Sequence, residues 1–208
     1  MSSMEKRRFP RVRMRPTMAE AIAWLGGQVV WPNLETSEIV DLSYRGLAAQ
    51  RPGLLSVSVQ QNLEIEIRLG DRPGFKTAAR VAWCNTEWVG VEFGAVSAEG
   101  HLVLSDFLDA LVAGANLRQV DKGFVTGGQN FEFWFQGAGG VSLFIWLNAD
   151  RQITRVQLDF GDSSTSISRG ESGVFADGSS GRRRALLLLS QMDKPGVPME
   201  DFLRSLGS

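Results

Sequence analysis

The sequence predicts a mainly β chain in two units: an antiparallel barrel or sandwich closed by a helix, then a small α+β unit on a second antiparallel sheet. Three observations predict it. Leu63, Ile65, Ile67 and Leu69 alternate strictly with Glu64, Glu66 and Arg68, which is the period of a half-buried strand. Short apolar stretches separated by turn-forming residues recur on both sides of that strand, as they do in barrels and sandwiches. Between Ser97 and Ala113 the period changes to that of a helix, with Leu104, Phe107, Leu108 and Leu111 on one stripe.

In chain order, a basic arm comes first: Lys6, Arg7, Arg8, Phe9, Pro10 and Arg11, with Arg13 and Arg15 close behind. Residues 17–25 are apolar and end in Gly26-Gly27, so they read as a first strand and turn; Met18 to Trp24 fits a helix equally well. Glu38 to Leu42 is a short strand that runs into Asp41, Ser43 and Gly46, each a turn-former for its own reason. Leu47 to Gln50 returns. After the strand at Leu63–Leu69 and a loop at Gly70–Gly74, Lys76 to Cys84 and Trp88 to Phe93 form a hairpin around Asn85–Glu87. Ser97 caps the helix that follows, and Gly114 is its expected stop.

Residues 115–123 are the expected boundary between the units. Beyond it, Phe131–Phe135, Val141–Leu147 and Ile153–Phe160 are three further strands, with short ones expected at Ile167 and at Val174 and Phe175. Arg182–Met192 and Met199–Leu206 are helices; Met199, Phe202, Leu203 and Leu206 share a face. The many Phe and Trp residues here are expected in the core, with an interaction surface as the competing reading. The organisation is thus an arm over 1–15, a barrel over 16–114 and a second domain over 121–208.

Composition removes several function classes. A formal net charge of −1 rules out a polyelectrolyte binder, so attraction for anions must be local. Cys84 and His101 are the single cysteine and histidine, which excludes an intrachain disulfide and a Cys/His zinc site. The charged start lacks the apolar segment of a signal peptide, and no apolar run is long enough to span a bilayer. A reducing, cytoplasmic setting is expected. Asp159-Phe160-Gly161 and Gly137-Ala-Gly-Gly140 imitate nucleotide-binding motifs but lack the surrounding elements. Arg182-Arg183-Arg184 reads as a solvated helix start. With no nucleophile–base pair and no metal cluster, neither an enzyme nor a bound cofactor is expected.

The arm gains meaning from a second motif. Arg7-x-x-x-Arg11 is followed about thirty residues later by Asp41-x-Ser43-x-x-Gly46, and then by Ala79 to Trp83 and Gly90 to Phe93. Together these resemble the PilZ domain, the bacterial receptor module for cyclic di-GMP, over about residues 5–113. The resemblance implies a six-stranded antiparallel β-barrel with a terminal helix, whose N-terminal arm wraps over a nucleotide on the barrel surface. It implies ligand contacts from Arg7, Arg11, Asp41, Ser43 and Gly46, with Arg8 also available. Lys6 stands where a basic residue accompanies binding of the nucleotide as a stacked, intercalated dimer.

The chemistry of these side chains agrees. An arginine fork matches the O6 and N7 acceptors of guanine, a carboxylate suits its N1–H and N2–H edge, and a hydroxyl can donate or accept. Glycine would allow a close approach or a positive φ. The expected function is a cyclic di-GMP receptor whose second domain meets a protein partner or a second copy of the chain. The alternative is a PilZ-fold interaction protein that does not use the nucleotide. Nucleic acid or an anionic membrane as the partner of the arm is a third, weaker reading.

Overall fold

The computed structural model describes residues 11–14, 25–121, 130–161, 163–171 and 180–206. The expectations placed on Lys6, Arg7, Arg8, Arg15, the segment 17–24, Val174 and Phe175 lie outside the described residues. Two compact units divide the chain, Met1–Leu108 and Asp109–Ser208.

The first unit contains strands β1 (Val12–Arg13), β2 (Gly27–Val30), β3 (Thr36–Ser43), β4 (Gly46–Gln50), β5 (Asn62–Leu69), β6 (Phe75–Cys84) and β7 (Trp88–Phe93). Six of them close into an antiparallel ring, β3-β2-β5-β6-β7-β4 and back to β3, while β1 lies outside the ring on β3. Closure follows from the alternation read in the sequence, because each strand sends one set of apolar side chains inward. Val29, Leu42, Ile67, Leu69, Val81 and Val89 are fully buried. Burial of side chains of this size contributes about 1.5–3 kcal/mol each. Trp31 seals one hairpin, its indole N–H donating to Ser37 Oγ at 3.0 Å.

Strand β2 corrects the sequence reading, which placed a turn at Gly26-Gly27. Gly27 begins a strand because a Cβ there would press on Leu69 and Ile39 at 3.2 and 3.3 Å, so the glycine serves close packing. Helix α1 (Ala98–Ala115) starts where expected: the Gly100 N–H donates to Ser97 Oγ at 3.1 Å. It does not stop at Gly114. The helix continues to Ala115, and the side-chain amide of Asn116, the next residue, donates to the Val112 carbonyl at 2.8 Å. Gly114 is instead a contact point, since a Cβ would lie 1.9 Å from the Leu188 carbonyl oxygen.

The second unit carries a five-stranded antiparallel sheet in the order β12-β11-β10-β9-β8. Its strands are β8 (Arg118–Gln119), β9 (Phe133–Gln136), β10 (Val141–Leu147), β11 (Ile153–Phe160) and β12 (Ser164–Ser168). The edge strand β8 falls inside the stretch read as a boundary. Helices α2 (Ser180–Ser190) and α3 (Met199–Leu206) pack together, and α2 also meets β12 while α3 meets β11. The core is Phe135, Leu143, Ile145, Val156, Leu158 and Ile167 from the sheet, against Ala185–Leu189, Phe202 and Leu203.

The aromatic residues divide between the two faces of this sheet. Phe135 is in the core, whereas Trp134, Phe144 and Trp146 are half-buried on the opposite face. Trp134 stacks on Phe144 at 5.9 Å, and the Arg155 guanidinium covers Trp146 at 4.7 Å. Among the described residues, no helix is long and apolar enough to cross a membrane.

Candidate functional site

The end of the arm is pinned by alternation. Val12 and Met14 are buried, and β1 pairs with β3 so that Val12 faces Leu42 and Arg13 faces Asp41. The Met14 N–H donates to the Val40 carbonyl at 2.9 Å. Arg11 and Arg13 therefore stay exposed. Arg11 Nη1 stands 3.6 Å from Asp41 Oδ2, with 45% and 33% of the two side chains exposed. That separation is beyond hydrogen-bond range, and ion pairs this exposed contribute only about 0–1 kcal/mol. The pair does little for the fold, and both groups remain open to a ligand.

Asp41 reaches the outer surface because β3 carries a bulge. Ile39 pairs with Ala49 and Asp41 with Ala48, so Val40 is an extra residue on β3. Ile39 points inward and is buried. In a regular strand, a residue two places on would also point inward. The inserted residue reverses that, placing Leu42 in the core and Asp41 outside.

Strand β6 repeats the device. Val81 pairs with Val91 and Trp83 with Gly90, which leaves Ala82 extra. Val81 is fully buried, while Trp83, two places on, is turned out and 41% exposed. Directly paired residues share a face, so the pairings Arg13–Asp41, Asp41–Ala48, Ala48–Gly90 and Gly90–Trp83 define one row across the outside of the barrel. The row presents a cation, a carboxylate and an indole, with the buried Ala48 and Gly90 between the carboxylate and the indole. Gly90 is required there: a Cβ would sit 2.2 Å from Trp83 Nε1, so the ring lies over bare backbone.

Ser43 and Gly46 behave differently. Ser43 is buried, and its hydroxyl donates to the Gly46 carbonyl at 3.1 Å while accepting from the Arg45 N–H at 3.4 Å. The Arg45 carbonyl accepts in turn from the Phe93 N–H at 2.7 Å. Gly46 does not have a positive φ. Its missing Cβ makes room for β7, because a Cβ would meet the Val91 carbonyl oxygen at 2.2 Å. These two residues build the Tyr44–Arg45 turn and hold it against a third strand. The positive φ suggested for Gly46 is not found, and its missing Cβ serves this packing.

Of the site residues read from the sequence, the structure thus brings Arg11 and Asp41 together and puts Ser43 and Gly46 underneath them. Lys6, Arg7 and Arg8 lie outside the described residues. Trp83 was missed as a site residue. Its signal was the glycine facing it in the next strand, since glycine inside a strand marks a close approach.

The PilZ domain family profile matches residues 5–110, just over half of the 208-residue chain. The chain belongs to the PilZ domain family. Among solved structures, similarity extends to other PilZ proteins. The PilZ domain of YcgR from Escherichia coli with c-di-GMP is 18% identical, covering 49% of this chain and 87% of that one, with a TM-score of 0.37. YcgR from the same organism in complex with c-di-GMP is 19% identical over 51% of this chain and 46% of that one, with a TM-score of 0.39. The Bacillus subtilis inhibitor of motility MotI/DgrA is 18% identical over 49% and 48%, with a TM-score of 0.37. The PilZ match thus spans about half the length of MotI/DgrA. A comparison with curated proteins gave no match. The PilZ profile ends at residue 110, so it leaves the second sheet unassigned.

Proposed function

We propose that the chain is a cyclic di-GMP receptor, binding the nucleotide between its N-terminal arm and the outer face of the barrel. The observation that carries the reading is the row from Arg13 and Asp41 to Trp83, with Arg11 in a long, exposed ion pair with Asp41. An arginine fork and a carboxylate are complementary to opposite edges of guanine, and an exposed indole suits base stacking. Arg7 and Arg8 would close over the ligand from the arm, with Lys6 serving a stacked dimer. Ser43 and Gly46 would act by holding the turn that positions Asp41.

Magnitudes favour a shared site over the arm alone. Ordering six arm residues costs about 1–2 kcal/mol each, while a hydrogen bond to a charged group returns roughly 1.5–3. The arm contacts about offset their own ordering. Net affinity must come from the preformed row on the barrel. Fixing the arm there would change the surface offered to a protein partner, which is how a receptor of this build would signal.

One observation favours the alternative, a PilZ-fold interaction protein that ignores the nucleotide. Turn construction explains Ser43 and Gly46 completely, so their presence does not require a ligand. Titration calorimetry of the full chain with cyclic di-GMP separates the two. The receptor reading predicts saturable binding that weakens about tenfold or more in Arg7→Ala and in Arg11→Ala. A stoichiometry of two nucleotides per chain would identify the stacked dimer. Absence of heat at millimolar nucleotide would establish the alternative.

A further inference from the structure

The second unit holds a cleft of about 560 Å³ lined by Arg151, Arg169 and Arg204 together with Asp150, Gln152 and Asp201. Pockets of that volume accommodate small organic ligands. The three arginines come from separate elements: the β10–β11 hairpin, the turn after β12, and α3. On α3 the cleft residues Asp201, Arg204 and Ser205 lie away from the buried stripe of Met199, Phe202, Leu203 and Leu206.

Three arginines and two aspartates line the cleft, so its lining carries a small formal excess of positive charge. Of the three, Arg204 has a carboxylate partner among the described residues, Glu200 at 2.6 Å. Arg169 makes one long donation, from Nη1 to the Ile153 carbonyl at 3.5 Å. Among the described residues, neither Arg151 nor Arg169 forms an ion pair, although Asp150 and Asp201 line the same cleft. Charges of both signs stand around the cleft without closing on one another.

The β10–β11 hairpin brings Arg151 to the cleft. Asn148 organises it, its N–H donating to the Gln152 carbonyl at 2.9 Å and its side chain accepting from the Gln152 N–H at 2.8 Å. The turn requires a left-handed residue at position 151, where glycine or asparagine is the unstrained choice. Arg151 occupies it at φ 60°. Arg151 is also one of the residues that line the cleft.

We infer that this cleft binds a phosphate ester that also carries N–H or O–H donors, a nucleoside phosphate being the fitting class. The guanidinium groups take the phosphate oxygens, for which their geometry is suited. Asp150 and Asp201 accept from the base or sugar. The site is separate from the barrel row and does not depend on the proposed receptor function.

The test is amide-resolved NMR of the full-length protein titrated with 5′-GMP and, separately, with inorganic phosphate. The inference predicts shifts at Arg151, Gln152 and Asp201, saturating with 5′-GMP about tenfold or more tighter than with phosphate. It predicts that Arg151→Gly, which suits the turn and so keeps the fold, weakens 5′-GMP about tenfold. In Arg11→Ala these shifts persist, which separates the cleft from the barrel site. Equal affinity for phosphate and 5′-GMP, no shifts at millimolar ligand, or unchanged binding in Arg151→Gly would each overturn it.

Discussion

Arg11 and Asp41 are half-exposed, stand 3.6 Å apart and contribute little to stability, whereas Ser43 and Gly46, close by in the same motif, are buried and fully engaged. The first pair is chemistry held ready on a surface. The second pair is construction beneath it. The difference separates two reasons for a residue to belong to a motif: contact with a ligand, and the geometry that makes the contact possible. The β3 bulge connects them, because it points Asp41 outward while leaving Leu42 and Ser43 inside.

Substitutions can break this division from either side. The largest effect is expected from Gly46→Ala. A Cβ at 2.2 Å from the Val91 carbonyl oxygen cannot be relieved by moving a side chain, since backbone stands on both sides. The barrel should lose about 3 kcal/mol or more, read by denaturant unfolding. A mild loss would mean that β4 and β7 can separate.

Trp83→Ala comes next and should act on binding. Removing a stacking surface costs about 1–3 kcal/mol per base, so cyclic di-GMP affinity should fall by roughly tenfold or more while the barrel stays folded. Undiminished affinity would remove the indole from the row. Ser43→Ala should show the smallest effect, about 1 kcal/mol of stability, from the lost bond to the Gly46 carbonyl. Its ligand affinity should change only through the looser turn. A large affinity loss at unchanged stability would move Ser43 from construction to contact.

Much of the fold was legible in the sequence, and the reasons are local. The β5 alternation, the β6–β7 hairpin and the apolar stripe of α1 are written in consecutive residues. Strands β2 and β8 were not legible, because four residues beginning with glycine and a two-residue edge carry no periodic signal. Gly114 looked like a helix stop for want of knowing that Leu188 packs against it.

The site was half legible by the same criterion. Residue type and spacing pointed to Arg11 and Asp41, but nothing in the run Ile39-Val40-Asp41-Leu42 announces a bulge. Its position is set by pairing with β4, a long-range fact. Trp83 was hidden for the same reason: only the register with Gly90 shows that it faces out.

The most direct measurement is the affinity for cyclic di-GMP and the melting temperature of Asp41→Ala, taken side by side with the unsubstituted chain. The account predicts an affinity loss of about tenfold or more with a stability change of no more than about 1 kcal/mol, because Asp41 serves the ligand and hardly the fold. Full affinity in that variant, or a loss matched by partial unfolding, would contradict it.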